Sequence, residues 1–190
     1  GSQILALGKL ASAGDAEKGA GKVSDRPAFD AYVERLLKDY EGTKTLKVVW
    51  DAGNGATGEA LEALVKKLPG EHHTMFTEID GRFPNHHPDP TEEKNLVDLQ
   101  KAVREKKADI GIAFDGDGDR IGMVDGQGRV LWGDQFMVLL AEDILKTTPG
   151  ATIIADVKAS QTLFDRVGAM GGKPLLYYLP ARHRQFVPAD

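Results

Sequence analysis

The sequence contains no cysteine. This absence excludes disulfides, zinc–thiolate sites and cysteine nucleophiles, and it fits a reducing compartment. Long apolar runs are missing too, since none approaches the ~20 residues of a membrane-spanning helix. The apolar stretch Gln3–Leu10 is short, and its basic residue Lys9 lies inside it rather than before it. We therefore expect neither a secretory signal nor a membrane partner.

Clusters of positive charge are also missing. Lysine and arginine number 24 against 29 acidic residues, which gives a formal net charge of -5. Nucleic acid is not an expected partner, because neutralising phosphates requires clustered Lys and Arg. The 190 residues are enough for one or two compact units at the usual ~100–200 residues per domain.

Hydrophobic periodicity predicts alternating strands and helices. Ala11–Lys22 is interpreted as a linker, followed by a helix capped by Ser24 or Asp25, with Pro27 in its first turn and Gly42 at its end. The apolar face of this helix would consist of Phe29, Tyr32, Val33, Leu36, Leu37 and Tyr40. The other predicted helices are Gly58–Lys67, Asn95–Lys106, Asp134–Lys146 and Ser160–Val167. The predicted strands are Leu46–Trp50, His73–Ile79, Ile110–Phe114, Ile121–Val124, Thr152–Asp156 and Leu175–Tyr178.

This order predicts an α/β fold with a layered, mainly parallel but mixed sheet. Asp125–Gly128 is a hairpin turn that returns through Val130 and Leu131, so at least one sheet edge should be antiparallel. A boundary between two units is expected near Gly128–Gly133. The second unit has about two strands, too few for a closed core, and looks truncated.

The stretch Asp115–Arg120, here named the aspartate loop, joins two of the predicted strands with the sequence DGDGDR. In an extended loop Asp115, Asp117 and Asp119 would share one side, where their mutual repulsion favours binding of a divalent cation. Oxygen ligands alone favour Mg²⁺, Mn²⁺ or Ca²⁺. Two glycines should let the backbone fold tightly enough for the carboxylates to converge.

Two alternatives compete with a metal site here. A solvated acidic turn is the simpler one. A calcium EF-hand is excluded, because loop positions 6 and 12 would hold Arg120 and Gly126 instead of Gly and Glu. Arg120 itself suits a phosphate that bridges metal and protein. Its alternative role is to pair with the aspartates and relieve their repulsion.

Residues Gly53–Gly58, here named the glycine turn, match the pattern G-x-G-x-x-G between a strand and a helix, with Glu78 and Asp80 downstream. This context is compatible with a dinucleotide-binding site. Against it, Asp51 ends the strand where a pyrophosphate would approach. The alternative is a tight strand-to-helix turn whose glycines serve geometry alone.

The remaining polar candidates are weaker. His86 and His87, within the proline loop Pro84–Pro90, should point to opposite sides and are predicted to be structural, with surface contact to a substrate or domain as the alternative. His72 and His73 are expected in an exposed connection. Lys158 follows a predicted strand, where α/β proteins place ligands. No serine lies in a nucleophile motif, and Asp-x-Asp-x-Thr is absent.

Four segments together resemble the α-D-phosphohexomutases, in particular the bacterial phosphomannomutase/phosphoglucomutase branch. They are LKVVWDAGNGATG (Leu46–Gly58), DGRFPNHHPDP (Asp80–Pro90), ADIGIAFDGDGDRIGMV (Ala108–Val124) and IADVKAS (Ile154–Ser160). The resemblance implies a cytoplasmic four-domain enzyme that moves phosphate between C1 and C6 of a hexose through a phosphoserine and a bisphosphate intermediate. It also implies Mg²⁺ bound by Asp115, Asp117 and Asp119, with Arg120 and Lys158 as catalytic residues.

The resemblance also implies a division of the chain. Residues 1–26 would be the end of domain 1 and a linker, residues 27–129 domain 2 with the metal-binding loop, and residues 130–190 the truncated start of domain 3. The family's serine loop, sugar loop and C-terminal phosphate loop have no counterpart, and Tyr178–Asp190 does not match the family. His183 is therefore not assigned a role. We expect weak Mg²⁺ binding, no turnover by this chain alone, and a hexose phosphate as substrate only with further domains.

Two other functions remain open from the sequence. One is a non-catalytic α/β module that binds a phosphosugar or a partner protein. The other is a dinucleotide-binding domain built on the glycine turn. The sequence does not distinguish mannose from glucose phosphates, and it gives no oligomeric state.

Overall fold

The structure is a computed structural model, and it describes residues 2–14 and 19–177. The helices are α1 (Ser2–Ala13), α2 (Phe29–Lys38), α3 (Gly58–Val65), α4 (Val97–Lys106), α5 (Gly133–Thr147) and α6 (Gln161–Ala169), and a short 3₁₀ helix, Glu93–Leu96, precedes α4. The strands are β1 (Leu46–Asp51), β2 (Gly70–Met75), β3 (Ile110–Phe114), β4 (Ile121–Asp125), β5 (Val130–Leu131), β6 (Thr152–Asp156) and β7 (Lys173–Tyr177).

The strands form two sheets. The larger has the order β2-β1-β3-β4-β5, with β2, β1 and β3 parallel and with β4 and β5 antiparallel to their neighbours. The smaller is the parallel pair β6-β7. The predicted mixed α/β fold and the antiparallel hairpin edge are confirmed. Because β5 pairs with β4, the larger sheet extends to Leu131, beyond the predicted end of domain 2 at residue 129; the domain division itself stays a prediction.

The main core lies between α4 and the larger sheet. Leu99 and Val103 on α4 are fully buried, as is Val49 on β1. The helix lies so close to β3 that a Cβ at Gly111 would be 2.7 Å from a methyl carbon of Val103. A second cluster, formed by Ala141, Ile153, Leu163 and Val167, joins α5 and α6 to β6. The packing of α4 against the larger sheet fixes β3, and β3 in turn fixes one end of the aspartate loop.

Several predicted boundaries at the start of the chain were wrong. Ala11–Ala13 is helical rather than part of a linker, and residues 15–18 of the predicted linker lie outside the described residues. Helix α2 begins at Phe29, since its first hydrogen bond runs from the Tyr32 N–H to Ala28 O. Ser24 and Asp25 therefore do not cap it, and it ends at Lys38 rather than at Gly42. On its apolar face Val33 is buried, whereas Phe29, Tyr32, Leu36 and Tyr40 are each more than 40% exposed.

The second strand was also predicted too late in the chain. It runs over Gly70–Met75, in register with all of β1, and it stops before Phe76, whose φ of 53° is left-handed. His72 and His73 therefore lie within β2 rather than in an exposed connection. His72 Nδ1 accepts a hydrogen bond from the Trp50 indole N–H at 3.1 Å. Within the described residues, no helix is both long and apolar enough to span a membrane.

Candidate metal centre

The aspartate loop closes the hairpin between β3 and β4. Phe114 and Ile121 are paired across the two strands, and the Asp115 N–H bonds to Arg120 O at 3.2 Å. Gly118 has a left-handed φ of 77°, whereas Gly116 does not. A Cβ at Gly118 would also collide with the side chain of Thr57. Of the two loop glycines, Gly118 is therefore the one whose backbone conformation requires glycine.

The loop brings the three predicted metal ligands together. Asp115, Asp117 and Asp119 each offer a carboxylate oxygen, and these oxygens lie within 4.8 Å of one another. Asp115 is buried at 2% exposure, while Asp117 and Asp119 are exposed. A buried carboxylate at the base and two exposed ones at the rim can bind a divalent cation that enters from solvent.

The electrostatics show the cost of this clustering. The pKa of Asp119 is raised, first by a hydrogen bond with Asp115 and then by repulsion from Asp117 and Asp115. Burial acts to raise the pKa of Asp115, but hydrogen bonds from the backbone and side chain of Arg120 outweigh it and hold that pKa below its ordinary value. A divalent cation would remove the repulsion among the carboxylates. The donor set, oxygen alone, fits a hard cation.

Arg120 contacts carboxylates on both sides of its guanidinium group. Its Nε donates to Asp115 Oδ2 at 2.7 Å, and its backbone N–H donates to Asp115 Oδ1 at 3.0 Å. Its Nη1 donates to Asp89 Oδ1 at 3.3 Å, and Asp119 Oδ1 lies 3.6 Å from Nε. The structure thus contains the pairing that the sequence offered as the alternative role of Arg120. About half of the side chain remains exposed and able to meet a ligand.

The glycine turn supports the aspartate loop and shows no free phosphate cradle. It lies between β1 and α3, as predicted, but its Gly53 N–H donates to Asp51 Oδ1 at 2.8 Å. The Ala56 N–H donates to Gly116 O, in the aspartate loop, at 2.9 Å. A fully buried carboxylate and an amide already in use both disfavour a pyrophosphate. The geometry therefore agrees with the turn-only alternative and not with a dinucleotide fingerprint.

The proline loop is fixed to the carboxyl end of β1 by a hydrogen bond between His86 and the buried carboxylate of Asp51. His86 Nε2 lies 2.9 Å from Asp51 Oδ2, and His86 Nδ1 lies 3.0 Å from His87 O. The hydrogen bond to Asp51 is the main cause of a raised pKa for His86. Nearby, Asn85 donates to Asn54 Oδ1 at 2.8 Å. These contacts give His86 a structural position, whereas the sequence offered no partner for it.

Lys158 lies in the turn after β6, at the carboxyl end of the smaller sheet, and the aspartate loop belongs to the larger one. Its ammonium group lies 3.6 Å from Asp156, and its side chain is 86% exposed. It lines an open cavity of about 310 Å³ together with Gly133, Asp134, Met137, Ala155, Ala159 and Leu163. Within the described residues, no hydrogen bond or ion pair links Lys158 to the aspartate loop, so its catalytic role stays a prediction.

Sequence reasoning gave no site role to Asp51, Asp89 or Thr57. Asp89 was visible only as a residue of the proline loop, and Asp51 only as an argument against nucleotide binding. Asp89 pairs with Arg120, and Thr57 packs against Gly118. A signal was available for Asp51, because a charged residue that ends a buried strand needs a partner.

Comparison with known proteins assigns the family. Residues 30–128 match the family model for phosphoglucomutase/phosphomannomutase, alpha/beta/alpha domain II. The chain belongs to the phosphoglucomutase/phosphomannomutase family. This confirms the resemblance drawn from the four sequence segments. The aspartate loop of this family member lies inside the matched residues.

Curated relatives support the family assignment over most of the length of this chain. It is 42% identical to the phosphomannomutase/phosphoglucomutase of Pseudomonas putida, over 92% of this chain and 38% of the relative. It is 38% identical to the phosphoglucomutase of Neisseria gonorrhoeae, over 82% of this chain and 34% of the relative. The chain thus spans less than two fifths of the length of these curated relatives.

Solved structures agree. A crystal structure of a phosphoglucomutase/phosphomannomutase family protein from Burkholderia thailandensis matches with a TM-score of 0.84 and 43% identity, covering 95% of this chain and 39% of that one. A structure named putative phosphomannomutase from Thermus thermophilus matches with a TM-score of 0.70 at 22% identity, over 85% of this chain and 38% of that one. The second likeness concerns the fold alone.

Proposed function

We propose that this chain supplies the metal-binding loop of a Mg²⁺-dependent phosphomannomutase/phosphoglucomutase. The observation that carries the proposal is the convergence of Asp115, Asp117 and Asp119 within 4.8 Å in a chain of this family. The parent reaction would be phosphoryl transfer between C1 and C6 of a hexose phosphate, through a phosphoserine and a bisphosphate intermediate. Domain 2 would then cover residues 27–129, and residues 130–190 would begin domain 3.

Mg²⁺ fits the three carboxylates because it is a hard cation that prefers oxygen ligands and usually retains several waters. When bound, it would stabilise negative charge on the phosphoryl group during transfer. The chain's own contribution is to orient three carboxylates and to place the Arg120 guanidinium beside them. Arg120 would bind phosphate oxygens, since its planar fork matches them.

Lys158 is the second catalytic residue of this proposal. An exposed ammonium group at the carboxyl end of β6 occupies the edge where α/β sheets bind ligands. In the assembled enzyme it would bind a substrate oxygen or transfer a proton. The alternatives of a non-catalytic binding module and a dinucleotide-binding domain are not favoured by the family match or by the Asp51 geometry.

Titration of the purified chain with Mn²⁺, followed by electron paramagnetic resonance, tests the metal site, and Mg²⁺ should compete for it. We expect weak binding at a single site and its loss in Asp117→Asn. Asp125→Asn is the matched control, because Asp125 is a carboxylate of the same hairpin that lies at the far end of β4 and pairs with Arg129, outside the loop. Equal Mn²⁺ binding by the wild type and Asp117→Asn would contradict the proposal.

A second experiment tests the parent reaction. The chain alone should convert neither mannose 1-phosphate nor glucose 1-phosphate. Adding separately expressed remaining segments of the Pseudomonas putida relative should produce turnover that Asp117→Asn abolishes. Turnover by the chain alone would refute the first expectation, and equal turnover with the Asp117→Asn chain would refute the role of the loop.

A further inference from the structure

Asp89 is held firmly beside the aspartate loop without belonging to its three carboxylates. Its Oδ1 accepts hydrogen bonds from the Thr91 hydroxyl at 2.7 Å and from the Thr91 N–H at 3.1 Å. Its carbonyl accepts a bond from the side chain of Asn95, a residue that is only 6% exposed, at 2.8 Å. Both the backbone and the carboxylate of Asp89 therefore have a fixed position before Arg120 contacts them.

Arg120 is shared between this carboxylate and Asp115. Its Nε lies 2.7 Å from Asp115 Oδ2, and its Nη1 lies 3.3 Å from Asp89 Oδ1. The shorter of these bonds is made to a carboxylate that the proposed function assigns to the metal. The longer bond is made to Asp89, which the proposed function does not assign to the metal. The two partners would therefore respond differently to a bound cation.

A divalent cation on Asp115 would compete with Arg120. Both would need the same carboxylate, and the cation would repel the guanidinium group across a short distance. Without a second partner, the exposed Arg120 side chain would then be free to leave the site. Asp89 offers that partner, because its charge remains available after the metal has taken Asp115.

We propose that Asp89 is a positioning residue, which holds the Arg120 guanidinium beside the aspartate loop when Asp115 is engaged by the metal. This inference rests on the proposed function for its purpose, but the Asp89–Arg120 contact can be tested without any metal. Asp89 would act only through Arg120 and would touch neither cation nor substrate. The expected consequence is an ordered guanidinium in the metal-loaded protein.

The test measures rotation about the Nε–Cζ bond of Arg120 by nuclear magnetic resonance, with Arg120→Lys used to assign the signal. In the first arm, which contains no metal, Asp115→Ala removes the carboxylate that shares Arg120 with Asp89. Rotation should stay hindered in Asp115→Ala and should become about tenfold faster when Asp89→Asn is added, as expected for losing one hydrogen bond between charged groups. Equal rates in the single and double variants would overturn the proposal.

Asp125→Asn added to Asp115→Ala is the control, because it breaks the Arg129 pair on the same hairpin. It should speed rotation of Arg129 and leave Arg120 unchanged. The second arm compares wild type with Asp89→Asn at saturating Mg²⁺ and needs no change at Asp115. Hindered rotation in the wild type and fast rotation in Asp89→Asn are expected, and equal rates would overturn the proposal.

The two arms separate the inference from the proposed function. If the wild type binds no Mg²⁺, the proposed function fails, and the first arm still decides whether Asp89 holds Arg120. If Mg²⁺ binds but Asp89→Asn leaves Arg120 equally ordered, the proposed function stands and the positioning role is refuted.

Discussion

Substitution of Gly55 by alanine should displace the aspartate loop without altering any metal ligand. Gly55 lies in the glycine turn opposite Gly116. A Cβ at Gly55 would lie 2.7 Å from Gly116 O, 3.0 Å from Gly116 Cα and 3.1 Å from Ala52 O. These are backbone atoms, so rotation of a side chain cannot relieve the contact. Ordinary contact begins near 3.4 Å. The backbones at Gly55 and Gly116 must therefore move apart by 0.4 Å at Gly116 Cα and by 0.7 Å at Gly116 O, the differences between that limit and the two distances.

The size of the effect follows from this displacement. Overpacking of a close backbone contact destabilises a fold by ~1–3 kcal/mol. Gly116 lies between Asp115 and Asp117, and ligand distances in metal sites tolerate deviations of only ~0.2 Å. A shift of the loop by more than this should lower Mn²⁺ affinity about tenfold, equivalent to ~1.4 kcal/mol.

Urea denaturation measures the stability, and Mn²⁺ titration by electron paramagnetic resonance measures the affinity. Gly116→Ala is the matched control, because its Cβ would lie 3.6 Å from Pro88 Cγ and 3.7 Å from Phe83 Cζ, which is ordinary contact. Its φ is not left-handed either. We expect near-native stability for Gly116→Ala and clear losses for Gly55→Ala. The reasoning is refuted if both variants match the wild type in both measurements.

Three further predictions concern the surroundings of the loop. The pKa of His86 is raised by its bond to Asp51, so the pair stabilises the fold below the ordinary value of 6.5 and loses this effect as pH rises through the raised value. The decrease in the urea midpoint caused by His86→Asn should therefore be largest near pH 5.5 and smallest near pH 9. A decrease that does not change with pH would contradict this. Leu99→Ala, in the fully buried core, should cost ~2–5 kcal/mol in urea denaturation, and a loss below ~1 kcal/mol would count against the core assignment. Gly118→Ala should cost at least ~1–2 kcal/mol from its left-handed φ, with a further loss from collision with Thr57; unchanged stability would exclude strain at this position.

The second strand was misplaced because long-range contacts set its limits. The strand predicted at His73–Ile79 runs over Gly70–Met75, because its pairing with β1 starts at Leu46 and the left-handed Phe76 ends it. Neither cause is visible in hydrophobic periodicity. By contrast, Thr152–Asp156 was predicted with its correct bounds, since a β-branched run between turn residues is a local signal.

The aspartate loop shows how far spacing alone can lead. Three acids at alternate positions between two strands predicted a single cluster of carboxylates, and the structure brings them within 4.8 Å. The sequence assigned the tight turn to both loop glycines equally. Only Gly118 adopts the left-handed conformation that requires glycine, because the path of the hairpin decides which residue makes the turn.

The sequence by itself determined the features that are encoded in short segments of the chain. These are the alternation of elements that gives the fold class, the hairpin, the cluster of carboxylates and the motifs that indicate the family. Tertiary structure decided which residues surround that cluster. His86 meets Asp51 across 35 positions of the chain, and Arg120 meets Asp89 across 31. Both contacts join the proline loop to the same end of neighbouring strands, since Asp51 ends β1 and Arg120 lies in the loop that follows β3, the partner of β1. Residue spacing cannot report such contacts, since they depend on the order of strands in space.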